Sequence, residues 1–409
     1  MRVLYFHQYF QTPKGTGGTR SYAMAQALIK AGYNVTMVCS SFTNGNTGLN
    51  KPFIKNCRRG MVDNIDVIEF NLNYSNNLSY YERIKVFIKF TLFSIGIIFR
   101  EPFDIVFATS TPLTTGIPGI FARLFKKKPF IFEIRDLWPE LPRAMQIIKN
   151  PIILGLMNIL ELICYRSANK LIALSPGIKE GIIKKGIKEK KINLISNGSD
   201  LNIFSEKALS AKNKSINKDN FLAVFAGTHG AANGLDTVLD TALVLKKKNK
   251  KKIKIILIGD GKLKLKLKKR AKFHKLDNII FLDPMPKVEL VNILSSADIG
   301  LQVLANIPSF YYGTSPNKFF DYLAAGLPVL NNYPGWLADL IKKYKCGHLV
   351  EPDNPKEFAD KLIYLSENPD IIKQMSFNAK KLAQKKFDMK ILGKKFVKCF
   401  DDVKIDIEN

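Results

Sequence analysis

Residues 315–329 bring a lysine, an aspartate and a helix start into one short stretch. Ser315 can cap the N-terminus of a helix, and Pro316 suits the first helical position. The free backbone N–H groups of such a helix start bind anions such as phosphate, and Lys318 in the first turn is unfavourable unless an anion is nearby. Asp321, one turn later on the same side, can accept hydrogen bonds from sugar hydroxyls. The stretch therefore predicts a site for a ligand that carries phosphate and hydroxyl groups.

The rest of this stretch predicts the helix that positions these groups. Gly326 is a typical helix end, and Pro328–Leu330 has the apolar character of a following strand. An ordinary amphipathic helix between two strands, without a ligand, is the alternative interpretation. The apolar residues expected to form the buried stripe of the helix are Phe319, Phe320, Tyr322 and Leu323.

Residues 315–329 resemble the donor-binding helix of retaining glycosyltransferases of family 4. Most positions match, in order, the pattern Pro-Ser-Lys-Leu-Phe-Glu-Tyr-Met-Ala-Ala-Gly-Lys-Pro-Val of one branch, with Asp321 in place of Glu. That branch includes the bacterial L-fucosamine (N-acetylfucosamine) transferases of O-antigen and capsule assembly. The resemblance implies that Asp321 binds the ribose of a nucleotide sugar, and that Ser315, Asn317 and Lys318 belong to the same donor site.

A glycine loop, Gly15–Arg20, follows the first expected strand and leads into a helix. Glycines let a backbone approach phosphate closely, but the loop is neither a Gly-x-Gly-x-x-Gly dinucleotide motif nor a Walker loop. A flexible turn is the alternative. In family 4 enzymes a similarly placed Gly-Gly loop closes over the donor diphosphate and the acceptor. The resemblance therefore assigns Gly17 and Gly18 to the donor site and offers Arg20 as a cation for the diphosphate.

Charged residues follow an apolar strand at 133–140, where the carboxyl edge of a sheet is expected and where sites form. This block resembles the Asp-x-Trp-Pro segment of the same branch. Asp136 is the leading candidate for orienting or deprotonating the acceptor hydroxyl, and Glu140 is the second. A salt-bridged corner with Arg135 and Arg143 is the alternative.

The loop at 227–234 departs from the family at two positions. The family has Gly-Arg here and Lys-Gly some residues later, and both cations neutralise the diphosphate; this chain has Thr228 and Asn233. Lys318, the dipoles of two helix starts and Arg20 would have to replace them. His229 is the ionisable residue of the loop and either donates to phosphate or is incidental.

The expected sugar pocket also departs from the family. At the spacing where many members carry a second glutamate, this chain has Gly313, and Tyr311–Thr314 would contact the sugar instead. Gly227 and Asn233, together with Gly259 in a turn that resembles the family's Gly-x-Gly turn near the nucleotide base, complete the expected donor site. The identity of the sugar does not follow from these residues.

Short apolar strands alternate with amphipathic helices along the chain, which predicts parallel sheets covered by helices. A polar stretch at 205–220 separates two such runs. We therefore expect two doubly wound, Rossmann-like α/β domains, an acceptor-side domain at 1–204 and a nucleotide-sugar-binding domain at 205–388. The resemblance implies the GT-B arrangement, in which the domains face a cleft and a last helix, here 389–409, crosses back to the N-terminal domain.

The 409 residues include 63 Lys and Arg against 35 Asp and Glu, a net charge of +28. This excess favours anionic partners, although lysine runs on solvated helix ends explain much of it. No nucleic-acid-binding motif accompanies the charge, and without the dinucleotide motif a nicotinamide-dependent oxidoreductase is disfavoured. The five cysteines form no Cys-x-x-Cys pair and the chain has no Asp-x-Asp pair, so we expect no metal, no other cofactor and a reducing compartment.

The segment Arg83–Phe99 is basic at its start and apolar afterwards. No segment has the roughly 20 apolar residues needed to span a bilayer, and no signal peptide is expected. A basic, apolar helix can lie flat in a membrane interface, and burial in the first domain is the alternative. We expect a mixed role, in which the helix is partly buried and partly faces lipid. We expect a cytoplasmic protein, peripheral on the inner face of the bacterial plasma membrane. A second apolar stretch, Pro151–Leu160, is expected to be core.

These features predict a retaining glycosyltransferase of lipopolysaccharide, O-antigen or capsule biosynthesis. It would move a sugar, by resemblance N-acetyl-L-fucosamine or a related N-acetyl sugar, from a UDP-linked donor to a lipid-linked diphosphate sugar. The family implies front-face attack without a covalent nucleophile. The alternative is a non-catalytic GT-B subunit that binds nucleotide sugar or acceptor without turnover, which the missing Arg and Lys favour and the intact 315–329 stretch disfavours.

Overall fold

The computed structural model describes residues 1–43, 45–75, 78–204 and 219–408. Its contacts divide the chain into two compact units. Unit 1 comprises Met1–Asn197, Tyr312–Ser315 and Lys390–Asn409, and unit 2 comprises Gly198–Tyr311 and Pro316–Met389. Most of the polar stretch expected at 205–220, and with it the expected domain boundary, lies outside the described residues.

One eight-stranded sheet forms the centre of unit 1. Its strands are β1 (Arg2–Phe6), β2 (Asn34–Phe42), β3 (Cys57–Val62), β4 (Ile65–Tyr74), β5 (Ile105–Thr109), β6 (Phe130–Ile134), β7 (Lys170–Ala173) and β8 (Ile192–Leu194). The spatial order is β3-β4-β2-β1-β5-β6-β7-β8, and neighbours are parallel except for the antiparallel pair β3 and β4. The strands β5 and β6 are buried along their whole length, as expected for parallel strands covered on both faces.

The helices of unit 1 begin at local signals that the sequence carries. Ser79 and Glu82 form a capping box before α2, and Asn150 caps α5 ahead of a proline in its first turn. Because the strand order reverses between β1 and β5, right-handed crossovers put α1 and α3 on opposite faces of the sheet. The helices are α1 (Arg20–Lys30), α2 (Tyr80–Arg100), α3 (Ile117–Lys126), α4 (Glu140–Ala144), α5 (Pro151–Ser167) and α6 (Pro176–Lys184).

The C-terminal helix of the chain belongs to unit 1. It runs over Met389–Glu408, with residues from Lys390 onwards in this unit, and is α15 in our numbering. The rings of Phe396 and Phe400 lie 5.0 and 5.7 Å from that of Phe107 on β5. These aromatic contacts fix the helix on one face of the sheet.

Unit 2 contains a second, wholly parallel sheet. Its strands are β9 (Phe221–Ala226), β10 (Ile253–Ile258), β11 (Ile279–Leu282), β12 (Ile299–Gln302), β13 (Val329–Asn331) and β14 (Gly347–Leu349), in the order β11-β10-β9-β12-β13-β14. The helices that follow β9 along the chain are α7 (Leu235–Lys247), α8 (Lys264–Phe273), α9 (Lys287–Leu294), α10 (Pro308–Gly313), α11 (Asn317–Ala325), α12 (Trp336–Tyr344), α13 (Pro355–Glu367) and α14 (Pro369–Leu382). All belong to unit 2 except the last two residues of α10, which belong to unit 1.

The expected pair of doubly wound α/β domains with parallel sheets is confirmed. The sequence pattern misses two edge strands, β3 and β14. In β3 charged and glycine residues interrupt the apolar pattern, and β14 is only three residues long, so neither contains the apolar run by which buried strands are identified.

Each sheet has one point where the strand order reverses, between β1 and β5 in unit 1 and between β9 and β12 in unit 2. In open α/β sheets, ligands bind outside the carboxyl ends of the strands at such points. Ligand-binding residues are therefore expected directly after β1, β5 and β6 in unit 1, and directly after β9, β10 and β12 in unit 2.

Candidate active site

In unit 2, the loop after β9 packs backbone against backbone on the turn after β10. Backbone N–H groups of Gly227 and His229 donate to the carbonyl oxygens of Ile258 and Asp260, each at 2.9 Å. Gly259 has φ 142°, and a Cβ there would lie 1.9 Å from the carbonyl oxygen of Gly227. Only glycine fits this contact, so the two loops form one close-packed edge above the strands.

Lys318 lies against this edge from the first turn of α11. Its Nζ donates to Oδ1 of Asn233 at 2.8 Å and stands 3.9 Å from the ring centroid of Phe225. Asn233 in turn donates from Nδ2 to the carbonyl oxygen of Thr228 at 2.8 Å. Burial lowers the pKa of Lys318 to about 7. The ammonium group thus lies beside residue 233, the position that holds a lysine in the resembled family.

The start of α11 differs from the expected one. Pro316 is the N-cap residue, no side chain caps the helix, and Asn317 rather than Pro316 is its first residue. Ser315 belongs to unit 1, where its Oγ accepts from the backbone N–H of Asn197 at 3.1 Å. The expected serine cap is therefore wrong, because that hydroxyl is already bound elsewhere. The uncapped N–H groups at the helix start are left for an anion.

Asp321 is buried on α11, with 7% of its surface exposed. Its Oδ1 accepts from Ser199 Oγ at 2.8 Å and is paired with Lys287 Nζ at 2.7 Å. Neither contact uses Oδ2. The carboxylate is therefore held on one side and keeps one oxygen for a ligand.

His229 lies beneath the loop rather than on its surface. Its side chain is fully buried between the rings of Phe225 and Phe281, each 6.2 Å away. Burial, with Lys264 nearby, lowers its pKa to about 4, so the ring is neutral at pH 7. The structure does not put this imidazole where a phosphate could reach it, and only the backbone of residue 229 remains at the edge.

In unit 1, Arg20 does not have the position expected of a diphosphate ligand. Its Nε and Nη2 donate to Oε2 of Glu133 at 2.9 and 2.8 Å, and Nη1 and Nη2 donate to the carbonyl oxygens of Ser196 and Ile195 at 2.6 and 2.9 Å. Every nitrogen of this guanidinium is bound to protein, and the residue is 2% exposed. Arg20 instead ties α1 to the end of β6.

Glu133 is the centre of this buried network. Its Oε1 accepts from Thr109 Oγ1 at 2.8 Å and from Arg135 Nε at 3.2 Å. Burial alone would raise the pKa of Glu133, but Arg20 and Arg135 outweigh burial and lower it. Arg135 is therefore paired with Glu133 and not with Asp136, contrary to the alternative of a salt-bridged corner.

Asp136 follows β6 at the carboxyl edge, half-buried, and accepts at Oδ2 from Thr111 Oγ1 at 3.2 Å. Burial raises its pKa above the usual value, and Thr111 and Arg135 oppose the rise only in part. Thr111 itself has φ 92°, a region that β-branched residues seldom adopt and that is concentrated at functional sites.

Glu140, the first residue of α4, belongs to a separate ion-pair cluster. Its Oε1 pairs with Lys185 Nζ at 3.0 Å, and the same Nζ pairs with Oε2 of the buried Glu161 at 2.9 Å. Glu140 is thus a partner of Lys185, and the structure does not bring it to Asp136 by any hydrogen bond or ion pair among the described residues.

The glycine loop before α1 is built on Gln11. A Cβ on Gly17 would lie 2.1 Å from Nε2 of this buried glutamine, whereas Gly17 and Gly18 themselves are exposed. The loop therefore presents its backbone to solvent next to the uncapped start of α1, and its role in the donor site stays a prediction.

Sequence reasoning missed several polar residues at these edges. His7 and Gln8 directly follow β1. In the described part of the chain, His7 Nδ1 and the Oε1 and Nε2 atoms of Gln8 are buried without a hydrogen-bond partner. The rule that singled out Asp136, a polar residue directly after an apolar strand, would have found them. No local signal relates Ser199 or Lys287 to Asp321, because the three side chains meet only in the folded unit.

A further surface of unit 1 is apolar and exposed, and we name it the apolar helix face. On α5 the exposed residues repeat at helical spacing, with Ile152 72% and Leu156 62% exposed, so the expectation that Pro151–Leu160 is core is wrong. Among the described residues no helix is long and apolar enough to cross a membrane. The apolar helix face consists of Ile88, Leu92 and Phe99 on α2, Leu124 and Phe125 on α3, and Ile152, Leu156, Ile159 and Ile163 on α5.

Known proteins resemble the chain in both halves. Residues 17–203 match Glycosyltransferase Family 4, and residues 206–382 match Glycosyl transferases group 1. The capsular polysaccharide biosynthesis glycosyltransferase CapM of Staphylococcus aureus is 22% identical over 314 residues, which cover 74% of this chain and 78% of CapM.

Two solved structures illustrate the likeness in fold. Sucrose-phosphate synthase of Thermosynechococcus elongatus has a TM-score of 0.77 at 15% identity, over 99% of both chains. HepE of Anabaena, in complex with UDP and glucose, has a TM-score of 0.70 at 16% identity, over 98% of this chain and 99% of HepE. The expected GT-B fold is thereby confirmed, whereas the matches do not distinguish the fucosamine branch from other glycosyltransferases. With a Family 4 region followed by a group 1 region, this chain is a glycosyltransferase of the GT-B fold.

Proposed function

We propose that unit 2 binds a nucleoside diphosphate sugar, specifically a UDP sugar, at the carboxyl ends of β9 and β12. The observation that carries this proposal is the first half of α11, where uncapped N–H groups, the ammonium of Lys318 and the unused Oδ2 of Asp321 occur within two turns. The N–H groups and the lysine suit a diphosphate, and the carboxylate oxygen one turn later can accept hydrogen bonds from the hydroxyls of a ribose joined to it. HepE, which shares the fold, is in complex with UDP and glucose and supports this donor class.

The leaving diphosphate would be held without the Arg and Lys pair of the family. Lys318, beside Asn233, supplies one positive charge, and the dipole of α11 adds partial positive charge at the same helix end. We propose that the transfer requires no metal ion or other cofactor. Positioning and stabilisation of the leaving group would supply most of the rate, and by family resemblance the transfer retains configuration through front-face attack.

Asp136 is our candidate for orienting or deprotonating the acceptor hydroxyl. Its hydrogen bond to Thr111 uses Oδ2 and leaves Oδ1 for the substrate. The raised pKa makes this carboxylate a stronger base than an exposed aspartate. Glu140 is a weaker candidate, because Lys185 already holds its Oε1.

We further propose that unit 1 lies on an anionic membrane and that the acceptor is a lipid-linked diphosphate sugar. Exposed apolar patches of this kind mark membrane or protein contacts, and basic residues among them favour anionic lipid. Exposed basic residues flank the apolar helix face at Lys85, Lys89, Arg100, Arg123 and Lys126. This proposal puts the enzyme in the cytoplasm, peripheral on the inner face of the bacterial plasma membrane.

The pathway that fits such an acceptor is O-antigen or capsule assembly, with an N-acetyl sugar such as N-acetyl-L-fucosamine as the group transferred. The support is the resemblance of residues 315–329 to that branch and the similarity to CapM, whose name assigns it to capsular polysaccharide biosynthesis.

Transfer of a labelled sugar from a set of UDP sugars to lipid-linked diphosphate sugars from bacterial membranes tests this function. Wild type should convert one UDP sugar into labelled lipid. Asp136→Asn should reduce transfer by about 10²- to 10⁴-fold, the usual contribution of a general base, and leave UDP affinity unchanged. Asp277→Asn, an exposed carboxylate change in unit 2, is the control and should have no effect.

The outcomes separate the two candidate functions. UDP binding without transfer to any acceptor would favour a non-catalytic subunit that binds nucleotide sugar. Failure to bind any nucleoside diphosphate would overturn the donor assignment itself.

A further inference from the structure

Two donors from distant parts of unit 2 meet on one oxygen of Asp321. Ser199 Oγ donates to Oδ1 at 2.8 Å, and Lys287 Nζ is paired with the same atom at 2.7 Å. The side chains of Lys287 and Asp321 are 11% and 10% exposed, and the ammonium also lies 6.0 Å from the ring of Phe204. The carboxylate is thus neutralised inside the protein and not by solvent.

This arrangement orders the carboxylate as well as neutralising it. A buried carboxylate without a cation is costly, and Lys287 supplies that cation to Asp321. Because both contacts use Oδ1, they fix the plane of the carboxylate and set the direction of Oδ2. A group already held in its binding orientation loses less conformational freedom when a ligand binds.

Lys287 is also distinct in role from the other lysine of the site. Lys318 has an amide and an aromatic ring as partners and remains available to an anion. The charge of Lys287 is already balanced by Asp321. Lys318 is therefore left for an incoming diphosphate, whereas Lys287 balances the carboxylate of Asp321.

We propose that Lys287 and Ser199 are positioning residues that hold Asp321 so that its Oδ2 accepts hydrogen bonds from the ribose hydroxyls of the donor nucleotide. This inference rests on the proposed donor site in unit 2. It adds two residues that never touch the ligand and that set the preference of the site for nucleotides with ribose hydroxyls.

Calorimetric titration of the full chain with UDP and with 2′,3′-dideoxy-UDP tests the inference. Wild type should prefer UDP by about tenfold to a hundredfold, the usual worth of a hydrogen bond to a charged group. Lys287→Met and Ser199→Ala should each lose most of this preference while binding the dideoxy nucleotide as wild type does. Lys287→Arg should keep the preference, and Lys269→Met, which alters an exposed lysine of α8, is the control.

A purely structural role would give a different result. Equal weakening of both nucleotides, or an unchanged preference in both variants, would overturn the inference and leave the donor site standing. Wild type that binds neither nucleotide would overturn the donor site as well. Ser199→Ala leaves the ion pair intact and so remains informative if Lys287→Met does not fold.

Discussion

At the scale of single residues, the partners of each basic side chain define its role. Arg20, Arg135 and Lys287 each neutralise a buried carboxylate. Lys318 differs, because its partners in the described structure are the amide of Asn233 and the ring of Phe225, which leave its charge unbalanced. We therefore assign the diphosphate to Lys318 and a structural role to Arg20.

The pH dependence of UDP binding should report on Lys318. Its pKa of about 7 in the free protein would rise when a diphosphate binds, so affinity should be highest below pH 7 and fall by up to about tenfold per pH unit above it. Lys318→Arg stays charged over this range and should give a flat profile from pH 7 to 9. Parallel profiles for the two proteins, measured by calorimetry, would contradict this role.

Removal of Arg20 should destabilise unit 1 in a pH-dependent way. In Arg20→Met, Glu133 loses its closest cation while buried, which costs about 3–5 kcal/mol at pH 7. The pKa of Glu133 is lowered by folding, so wild type loses this stabilisation as pH falls from the unfolded value of about 4.3 through the lower folded value.

The variant has already lost most of that contribution, so the difference in free energy of unfolding between the two proteins should shrink as the pH falls below about 4.3. Urea unfolding of both proteins at several pH values measures it. A difference that stays constant with pH would show that the pair does not act as an ion pair. The double variant Arg20→Met/Glu133→Leu should recover part of the loss, because the buried carboxylate is removed together with its closest cation.

At the scale of elements, α5 is a helix whose apolar sequence does not indicate its position in the fold. Its sequence is apolar on several faces, and hydropathy alone favours a core helix. In the structure only Leu154, Glu161, Cys164 and Tyr165 are buried, and the opposite stripe faces outward. This exposed apolar stripe is the observation that supports the proposed membrane surface.

Vesicle binding should depend both on the apolar helix face and on the basic residues that flank it. Lys85→Gln/Lys89→Gln should weaken binding to vesicles with anionic lipid by about 2 kcal/mol, near thirtyfold, at about 1 kcal/mol per lysine. Leu156→Asp should weaken binding to neutral vesicles too. Lys251→Gln/Lys252→Gln removes the same charge from unit 2 and is the control. Unchanged sedimentation of the first variant with anionic vesicles would refute the proposed surface.

The aromatic contacts of α15 predict its contribution to unit 1. Phe400→Ala removes a fully buried ring that packs on Phe107, and should cost about 3–5 kcal/mol in the free energy of unfolding. Phe377→Ala, at a residue 62% exposed in unit 2, is the matched control and should change little. Equal, small effects in urea unfolding would mean that α15 is not part of the core of unit 1.

At the scale of the whole molecule, the sequence predicted what local and periodic signals encode. Apolar runs located most strands, Gly326 ends α11 with a left-handed φ of 73°, and the alternation of elements gave both doubly wound sheets. The sequence could not show which distant partner a charged side chain would choose. Arg20 pairs with Glu133, and Lys287 pairs with Asp321, through contacts that exist only after each sheet has assembled.

Sequence spacing relates the residues of the proposed donor site more directly than those of the proposed acceptor site. Lys318 and Asp321 lie on one short helix, so spacing alone relates them. Thr111 and Asp136 follow two different strands, and their hydrogen bond depends on β5 and β6 being neighbours in the sheet. Sequence order gives no direct sign of that neighbourhood.

Thermal unfolding of the whole chain with UDP, GDP, ADP, dTDP and NAD, each in large excess, tests the central claim most directly. A ligand at 100 times its dissociation constant adds about 2.7 kcal/mol to the stability of the folded state, a readily measured rise in melting temperature. We predict that UDP raises the melting temperature, that NAD does not, and that Asp321→Asn reduces the rise. A chain stabilised by none of the nucleoside diphosphates, or by NAD alone, would contradict the account.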